Sequence, residues 1–312
     1  MGKSRPFRFG VQEHASPSAA AWRDTARQVE ATGYATLYLP DHFRDQLGPV
    51  AALMAAADAT TTLRIGSLVF DNDYRHPVVL AREAATLDLL SDGRLDLGLG
   101  AGWMESDYTK AGIPLDSPGI RIERMEEGLK IIKGLFAGGQ FSFTGKHYTI
   151  KELEGFPSPL QKPHPPIILG GGGRRMLRLA AREADVVNVN FVLSAGRVGR
   201  ELVRSGIAPR TDEKIEWIKE AAGPRLDELE LSITVFLASV TDDRESMAAA
   251  IAAGLGLEPA DILEMPHFLI GTVDQLVTDI EARRERYGIS YVIVPGEASE
   301  SLAPVVAKLA GK

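Results

Sequence analysis

The feature that most constrains this chain is a regular alternation of short apolar strands with helical segments along almost its whole length. FRFGVQ (7–12) precedes the helical AAAWRDTARQVEATG (19–33), and YATLYL (34–39) precedes a small-residue helix from about Pro49. LRIGSLVF (63–70) leads to a helix at 77–90, and RLDLGLG (94–100) to a helical region covering roughly 104–136. The second half repeats the scheme. PIILG (166–170) is followed by the Arg-rich helix 174–183, and DVVNVN (185–190) by a helical segment ending near 222. LELSITVFLASV (229–240) precedes a helix from Asp243, and YVIVP (291–295) precedes the final helix, SESLAPVVAKLA. Near-continuous apolar strands belong to a parallel sheet covered by helices on its faces. Eight such pairs predict an α/β fold, a single closed (β/α)8 TIM barrel occupying 1–312 as one domain.

Two stretches depart from the repeat. FSFTGKHYTI (141–150) alternates around Thr144-Gly145 and reads as a hairpin, and FPSPLQKPHPP (156–166) is an irregular Pro-rich connection. Both fall between strands four and five, which predicts an insertion there. The Pro-rich run lies inside the strand–helix series, so it is not an inter-domain linker.

Composition narrows the function classes. Charged residues make up 25% and the hydrophobic set 45%, ordinary for a globular protein with an ample core. No run of eighteen apolar residues occurs, so no membrane association is expected. The start, MGKSRPFRFG, lacks the apolar core of a signal peptide, and Pro6 stands where a myristoylation motif needs Ser or Thr. The absence of cysteine removes disulfides, thiolate metal sites and Cys nucleophiles together. A net charge of −7 argues against nucleic acid as a partner. A cytoplasmic enzyme is the expectation.

The densest information lies in YRHPVVLAREAATLDLLSDGRLDLGLGAGW, from Tyr74. Val79, Leu80, Ala84, Leu87 and Leu90 recur at helical spacing, with Pro77 at the helix start. Ser91-Asp92-Gly93 stops that helix, and Leu95, Leu97 and Leu99 form the next strand. Gly98, Gly100 and Gly102 leave the strand end without bulk. That would let a ligand approach main-chain N–H groups, or would simply serve close packing.

In a barrel of this kind the active site lies at the C-terminal ends of the strands. The second strand ends in Pro40-Asp41-His42. An Asp-His pair here is either a solvated turn or an acid/base site, since imidazole can give or take a proton near neutral pH. The fourth strand ends in Gly100-Ala101-Gly102-Trp103, and Trp103 is either a substrate contact or plain packing. The fifth runs into Gly170-Gly171-Gly172-Gly173-Arg174-Arg175 and a helix. Neither a Walker motif nor a G-x-G-x-x-G occurs, so a nucleotide P-loop and a Rossmann site are unsupported. Gly171, Gly172 and Gly173 would still expose N–H groups at a helix N-terminus, where a phosphate is favoured. Arg174 and Arg175 could add charge-assisted bonds. The six histidines show no metal-ligand spacing, so no metal is expected. His14, His147, His164 and His267 read as surface or loop residues, and Glu13, Asn72 and Asn190 as neighbours of strand ends that could line a pocket.

Four pieces, in order, carry a resemblance: Asp41-His42, RHPVVLAREAATLDLLSDGRLDLGLGAGW, ILGGGGRR and FLIGTVDQLV. Together they resemble the luciferase-like flavin and deazaflavin oxidoreductase superfamily, and most closely its branch using coenzyme F420. The resemblance implies that Asp41 contacts the deazaflavin and that His42 faces the substrate as acid/base. It implies a non-prolyl cis peptide at Ser67-Leu68, forming a bulge on which the ring leans. It places Gly100, Ala101, Gly102 and the 171–175 turn around the cofactor, and the insertion beside the cofactor mouth. Sugar-phosphate-oxidising relatives carry a glutamate where this chain has Trp103, a departure that points to an apolar or aromatic substrate. Glu13 would face the same mouth. The implied activity is hydride transfer between F420 and an organic small molecule, in a homodimer. The alternatives are an FMN-dependent monooxygenase of the same superfamily, using reduced flavin and O2, and a non-catalytic flavin-binding or deazaflavin-binding barrel.

Overall fold

The computed structural model describes residues 5–193 and 195–312. In chain order the strands are β1 (Arg8–Gln12), β2 (Thr36–Leu39), β3 (Arg64–Asp71), β4 (Leu95–Gly100), β5 (Gln140–Thr144) and β6 (Thr149–Glu154). They continue with β7 (Ile167–Gly171), β8 (Val186–Val189), β9 (Glu230–Thr234), β10 (Leu237–Val240), β11 (Phe268–Gly271) and β12 (Ile289–Pro295). The helices are α1 (Ala19–Ala31), α2 (Pro49–Ala59), α3 (Pro77–Leu90), α4 (Glu105–Ala111), α5 (Pro118–Phe136) and α6 (Arg174–Glu183). After them come α7 (Arg200–Arg204), α8 (Ala208–Ala222), α9 (Arg244–Leu255), α10 (Pro259–Glu264), α11 (Val273–Tyr287) and α12 (Ala303–Leu309).

Eight strands close into a parallel barrel in the order β1-β12-β9-β8-β7-β4-β3-β2. This is the (β/α)8 fold that the strand–helix alternation predicts. The α3–β4 unit shows why the pattern is readable. Leu80, Ala84 and Leu87 bury the inner face of α3, Pro77 opens it, and Gly93 turns the chain at a φ of 76° into β4. Leu95, Leu97 and Leu99 then pack outward among the helices, in the main core. The expected insertion between the fourth and fifth barrel strands is present. Its antiparallel hairpin, β5–β6, is tied to α5 by Glu127, whose carboxylate accepts the Lys146, His147 and Tyr148 amides at 2.7, 2.9 and 3.1 Å.

The stretch 229–240 is not one strand. Val235 N–H still donates into the barrel, to Ile293 O at 2.8 Å, but Phe236 N–H turns to His267 O at 2.9 Å. The chain changes sheet between these residues, and β10 pairs in parallel with β11 outside the barrel. A second insertion, β10–α9–α10–β11, thus precedes α11. With α7 it forms an annex having its own apolar cluster, built around Phe191, Leu202, Ile262, Met265 and Phe268. Among the described residues, no helix is long and apolar enough to cross a membrane.

Candidate active site at the C-terminal mouth of the barrel

A cavity of about 630 Å³ opens at the C-terminal ends of the barrel strands, beneath the annex. Three loops converge on its most reactive wall. β2 ends at Leu39, and the turn after it places His42 on the cavity. α4 begins just past β4 and carries Asp107 in its first turn. His42 Nδ1–H donates to Asp107 Oδ2 at 2.6 Å, and that carboxylate is only 2% exposed. A buried acceptor on Nδ1 sets the tautomer and leaves the Nε2 lone pair free. Trp103 stands edge-on to the imidazole, with ring centroids 6.0 Å apart.

Asp41 borders the same cavity, but its carboxylate is engaged elsewhere. It takes Arg75 Nη1 at 2.6 Å and the Asp71 amide at 3.1 Å. Asp71 also reaches the cavity wall. Burial pushes its carboxyl up to about 7, the neighbouring Asp73 and Asp41 adding to the shift, while the Asp73 amide and Tyr108 hydroxyl bond to it.

The bulge on β3 is real, though displaced by one residue from Ser67-Leu68. The cis bond is Leu68–Val69. Ser67 remains in register with Leu97, fully buried, its Oγ–H donating to Leu39 O at 2.9 Å. Register is lost only beyond it, so the irregularity belongs to the next bond. Leu68 and Val69 face the cavity, and Gln12 Nε2 holds Leu68 O at 2.8 Å. The glycines of β4 make room for this bulge. A Cβ on Gly98 would strike Ser67 O, and one on Gly100 would strike Val69. Gly102, at a φ of 70°, is packed against the Tyr108 hydroxyl yet still borders the cavity, whereas Ala101 packs against the barrel core.

In the turn after β7, Gly170 lines the cavity, Gly171 packs on Met176, and Gly172 lies under the Asn190 and Phe191 carbonyls. Gly173 caps α6 with open space where a Cβ would stand. Arg174 and Arg175 point to solvent, each 3.7 Å from a carboxylate, Glu220 and Glu123 respectively. Glu13 faces Gly296 and is not on the cavity wall, although its neighbours Gln12 and His14 are; burial raises its pKa. Asn190 lines the cavity, while Asn72 is buried beside Gly128.

His267 is not a surface residue. It is fully buried, its Nδ1 bonded to Thr234 O at 2.8 Å, and burial with nearby Lys214 lowers its pKa to about 3. It packs on Phe191 at 4.1 Å between centroids, beneath the cavity. Sequence reasoning missed Asp107, Gln12, Asp71 and the Phe191–Phe236 pair. Asp107 depends on where α4 starts and the phenylalanine pair on where the chain leaves β9, which no local motif marks. Gln12 and Asp71 are the last residues of β1 and β3, a position that strand-end reasoning could have reached.

The chain is 29% identical over 266 residues to an F420-dependent glucose-6-phosphate dehydrogenase of Nakamurella multipartita, covering 81% of this chain and 74% of that protein. It is 31% identical over 134 residues to an FMNH2-dependent dimethylsulfone monooxygenase of Pseudomonas putida, covering 43% of this chain and 36% of that protein. The chain spans 66% of the length of the first curated relatives it matches. Its fold superposes on the coenzyme F420-dependent tetrahydromethanopterin reductase of Methanopyrus kandleri with a TM-score of 0.78, 18% identity and 98% coverage of both chains. The barrel with its strand-end cavity is thus accompanied by a match over residues 1–287 to the luciferase-like monooxygenase family, and the chain belongs to that family.

Proposed function

We propose that the protein is a cytoplasmic F420-dependent oxidoreductase, acting as a homodimer, that moves a hydride between the deazaflavin and an organic small molecule. The observation that carries this reading is the His42–Asp107 pair on the wall of the same cavity as the Leu68–Val69 bulge. A proton group and a flat apolar ledge are what hydride chemistry on a planar ring needs side by side. The likeness to F420-dependent dehydrogenases supports the choice of carrier.

The residues present fit such a cofactor. The cavity, about 630 Å³, is within the usual range for small-molecule sites. Leu68 and Val69 would support the ring, with Asp41 and Gly102 at its margin. Gly173 leaves an open approach to the N-terminus of α6, where Gly171, Gly172 and the half-exposed Arg174 and Arg175, drawn from their contacts with Glu220 and Glu123, would hold a phosphate or the tail carboxylates. When bound, the deazaflavin supplies a two-electron hydride carrier. The chain supplies the proton balance: His42 Nε2 takes the proton from a substrate hydroxyl or amine as its carbon is oxidised, or returns it in the reverse direction. Asp107, held at Nδ1, stabilises the imidazolium that results.

Equilibrium titration with F420 and with FMN tests the reading. F420 should bind more tightly, and the preference should shrink when Arg174 and Arg175 are both changed to Gln. FMN bound at least as tightly as F420, with O2-dependent turnover of reduced flavin, would instead favour the monooxygenase reading that the dimethylsulfone monooxygenase likeness supports. Binding without any turnover would leave a non-catalytic barrel.

A further inference from the structure

The cavity has two unlike halves. His42, Asp41 and Asp71, from the ends of β2 and β3, make one wall polar. Leu193, Val198, Leu202, Phe191 and Phe236, from the ends of β8 and β9 and the annex, make the other largely apolar, with Asn190 and Thr234 among them. In the closed ring of eight strands β9 stands directly across from β3. A ring resting on the β3 bulge therefore leaves a second molecule facing the apolar wall. Phe191 and Phe236 are stacked there, with centroids 5.0 Å apart and planes 28° apart. Phe191 is 3% exposed and fixed; Phe236, on the cavity side, remains 47% exposed. Val198, on the same wall, is 69% exposed. Large apolar side chains left open inside a cavity are covered when the cavity is filled. Beneath the pair, His267 is held neutral by its burial and adds no charge.

Charge points the same way. The carboxylates bordering the cavity are Asp41, Asp45, Asp71 and Glu297, against a single arginine, Arg44, whose Nη2 is turned to Met104 Sδ at 2.9 Å. Asp41 is paired with Arg75 and burial keeps Asp71 protonated up to about pH 7, so Asp45 and Glu297 are the carboxylates that would repel an anionic substrate, and together they outweigh Arg44.

We infer that the substrate is a neutral, predominantly apolar molecule of ring size, seated on the stacked Phe191–Phe236 pair with its reacting polar group turned across the cavity to His42. This rests on the reading of the cavity as an active site, and it sets the chain apart from dehydrogenases of sugar phosphates. The test is calorimetric titration of the full chain, with and without F420, using 2-naphthol, cyclohexanol and glucose 6-phosphate as probes. 2-Naphthol should bind best, cyclohexanol more weakly and glucose 6-phosphate not measurably. Phe236→Ala, at an exposed position that should not disturb folding, should weaken 2-naphthol binding by up to about tenfold, the scale of one aromatic contact. Phe236→Leu should weaken it less. The inference is overturned if glucose 6-phosphate binds as well as 2-naphthol, or if Phe236→Ala leaves 2-naphthol affinity unchanged. If 2-naphthol binds in a Phe236-dependent way but F420 does not bind, the substrate class stands and the cofactor reading fails.

Discussion

His42 shows how one hydrogen bond turns a common residue into a directed one. With Nδ1–H committed to Asp107 at 2.6 Å, only Nε2 is left to exchange a proton. His42→Ala should reduce turnover about 10²–10⁴-fold, the usual contribution of a positioned acid–base group, while F420 affinity stays within a few-fold. Asp107→Asn should cut turnover less and shift its pH profile, a change that simple loss of packing would not produce. An unchanged rate in His42→Ala would move the proton role elsewhere. Asp71 makes a prediction of its own, in stability. Burial lifts its folded-state pKa to about 7, so between roughly pH 4 and 7 the folded state holds a proton that the unfolded chain releases. Stability should therefore be greatest at the acid side and fall as pH rises through about 7, by an amount on the order of 1–4 kcal/mol. Asp71→Asn should flatten that slope in denaturant unfolding followed from pH 5 to 8. The strand-end placement of Asp41 and His42 was legible, because strand register and barrel polarity together put them at the mouth. Asp107 was not, since its reach to His42 depends on the angle at which α4 leaves β4.

At the scale of elements, β3 and β4 are built for each other. The extra residue on β3 after Ser67 needs room, and the glycines of β4 provide it. Gly98→Ala would drive a Cβ into the Ser67 carbonyl, a backbone atom with nowhere to go. We expect a loss of about 1–3 kcal/mol in unfolding free energy together with weakened cofactor binding, as the ledge is displaced. Gly173→Ala is the contrast: it meets no atom, so the fold should change by no more than about 1 kcal/mol, and any effect should appear in cofactor titration alone. The leucine spacing and the Pro77 and Gly93 punctuation made α3 readable to the residue and β4 to within one. A sheet change inside an unbroken apolar run was not readable: LELSITVFLASV carries no turn residue where Phe236 abandons the barrel for β11. A signal for α11 was present and passed over, the capping box of Thr272 with Gln275.

For the molecule as a whole, the two ends of the barrel divide stability from chemistry. The mouth carries glycines, exposed aromatics and carboxylates held away from water, all of which a ligand-free fold would be better without. The opposite end is tied by charge. Asp96, 1% exposed near the start of β4, takes Arg64 Nη2 at 2.6 Å and Arg8 Nη2 at 3.2 Å, and Arg8 Nη1 reaches Glu230 at 2.8 Å. Through these contacts the starts of β1, β3, β4 and β9 are joined across the floor of the barrel. The Tyr38 hydroxyl, inside the barrel, bonds to the same carboxylate at 3.3 Å, which links the floor to the interior. Removing Asp96 leaves Arg8 with Glu230 and Arg64 with no carboxylate. Breaking a buried pair costs about 3–5 kcal/mol, and we place Asp96→Ala near 3 because Arg8 and Arg64 keep 32% and 26% of their side chains in solvent. Thermal and denaturant unfolding would read this loss. At a temperature where the variant is still folded, F420 affinity and turnover should match the parent, since no mouth residue has moved. A drop in turnover without a drop in stability would mean that the floor and the mouth are coupled, and that the division of labour along the barrel axis does not hold for this chain.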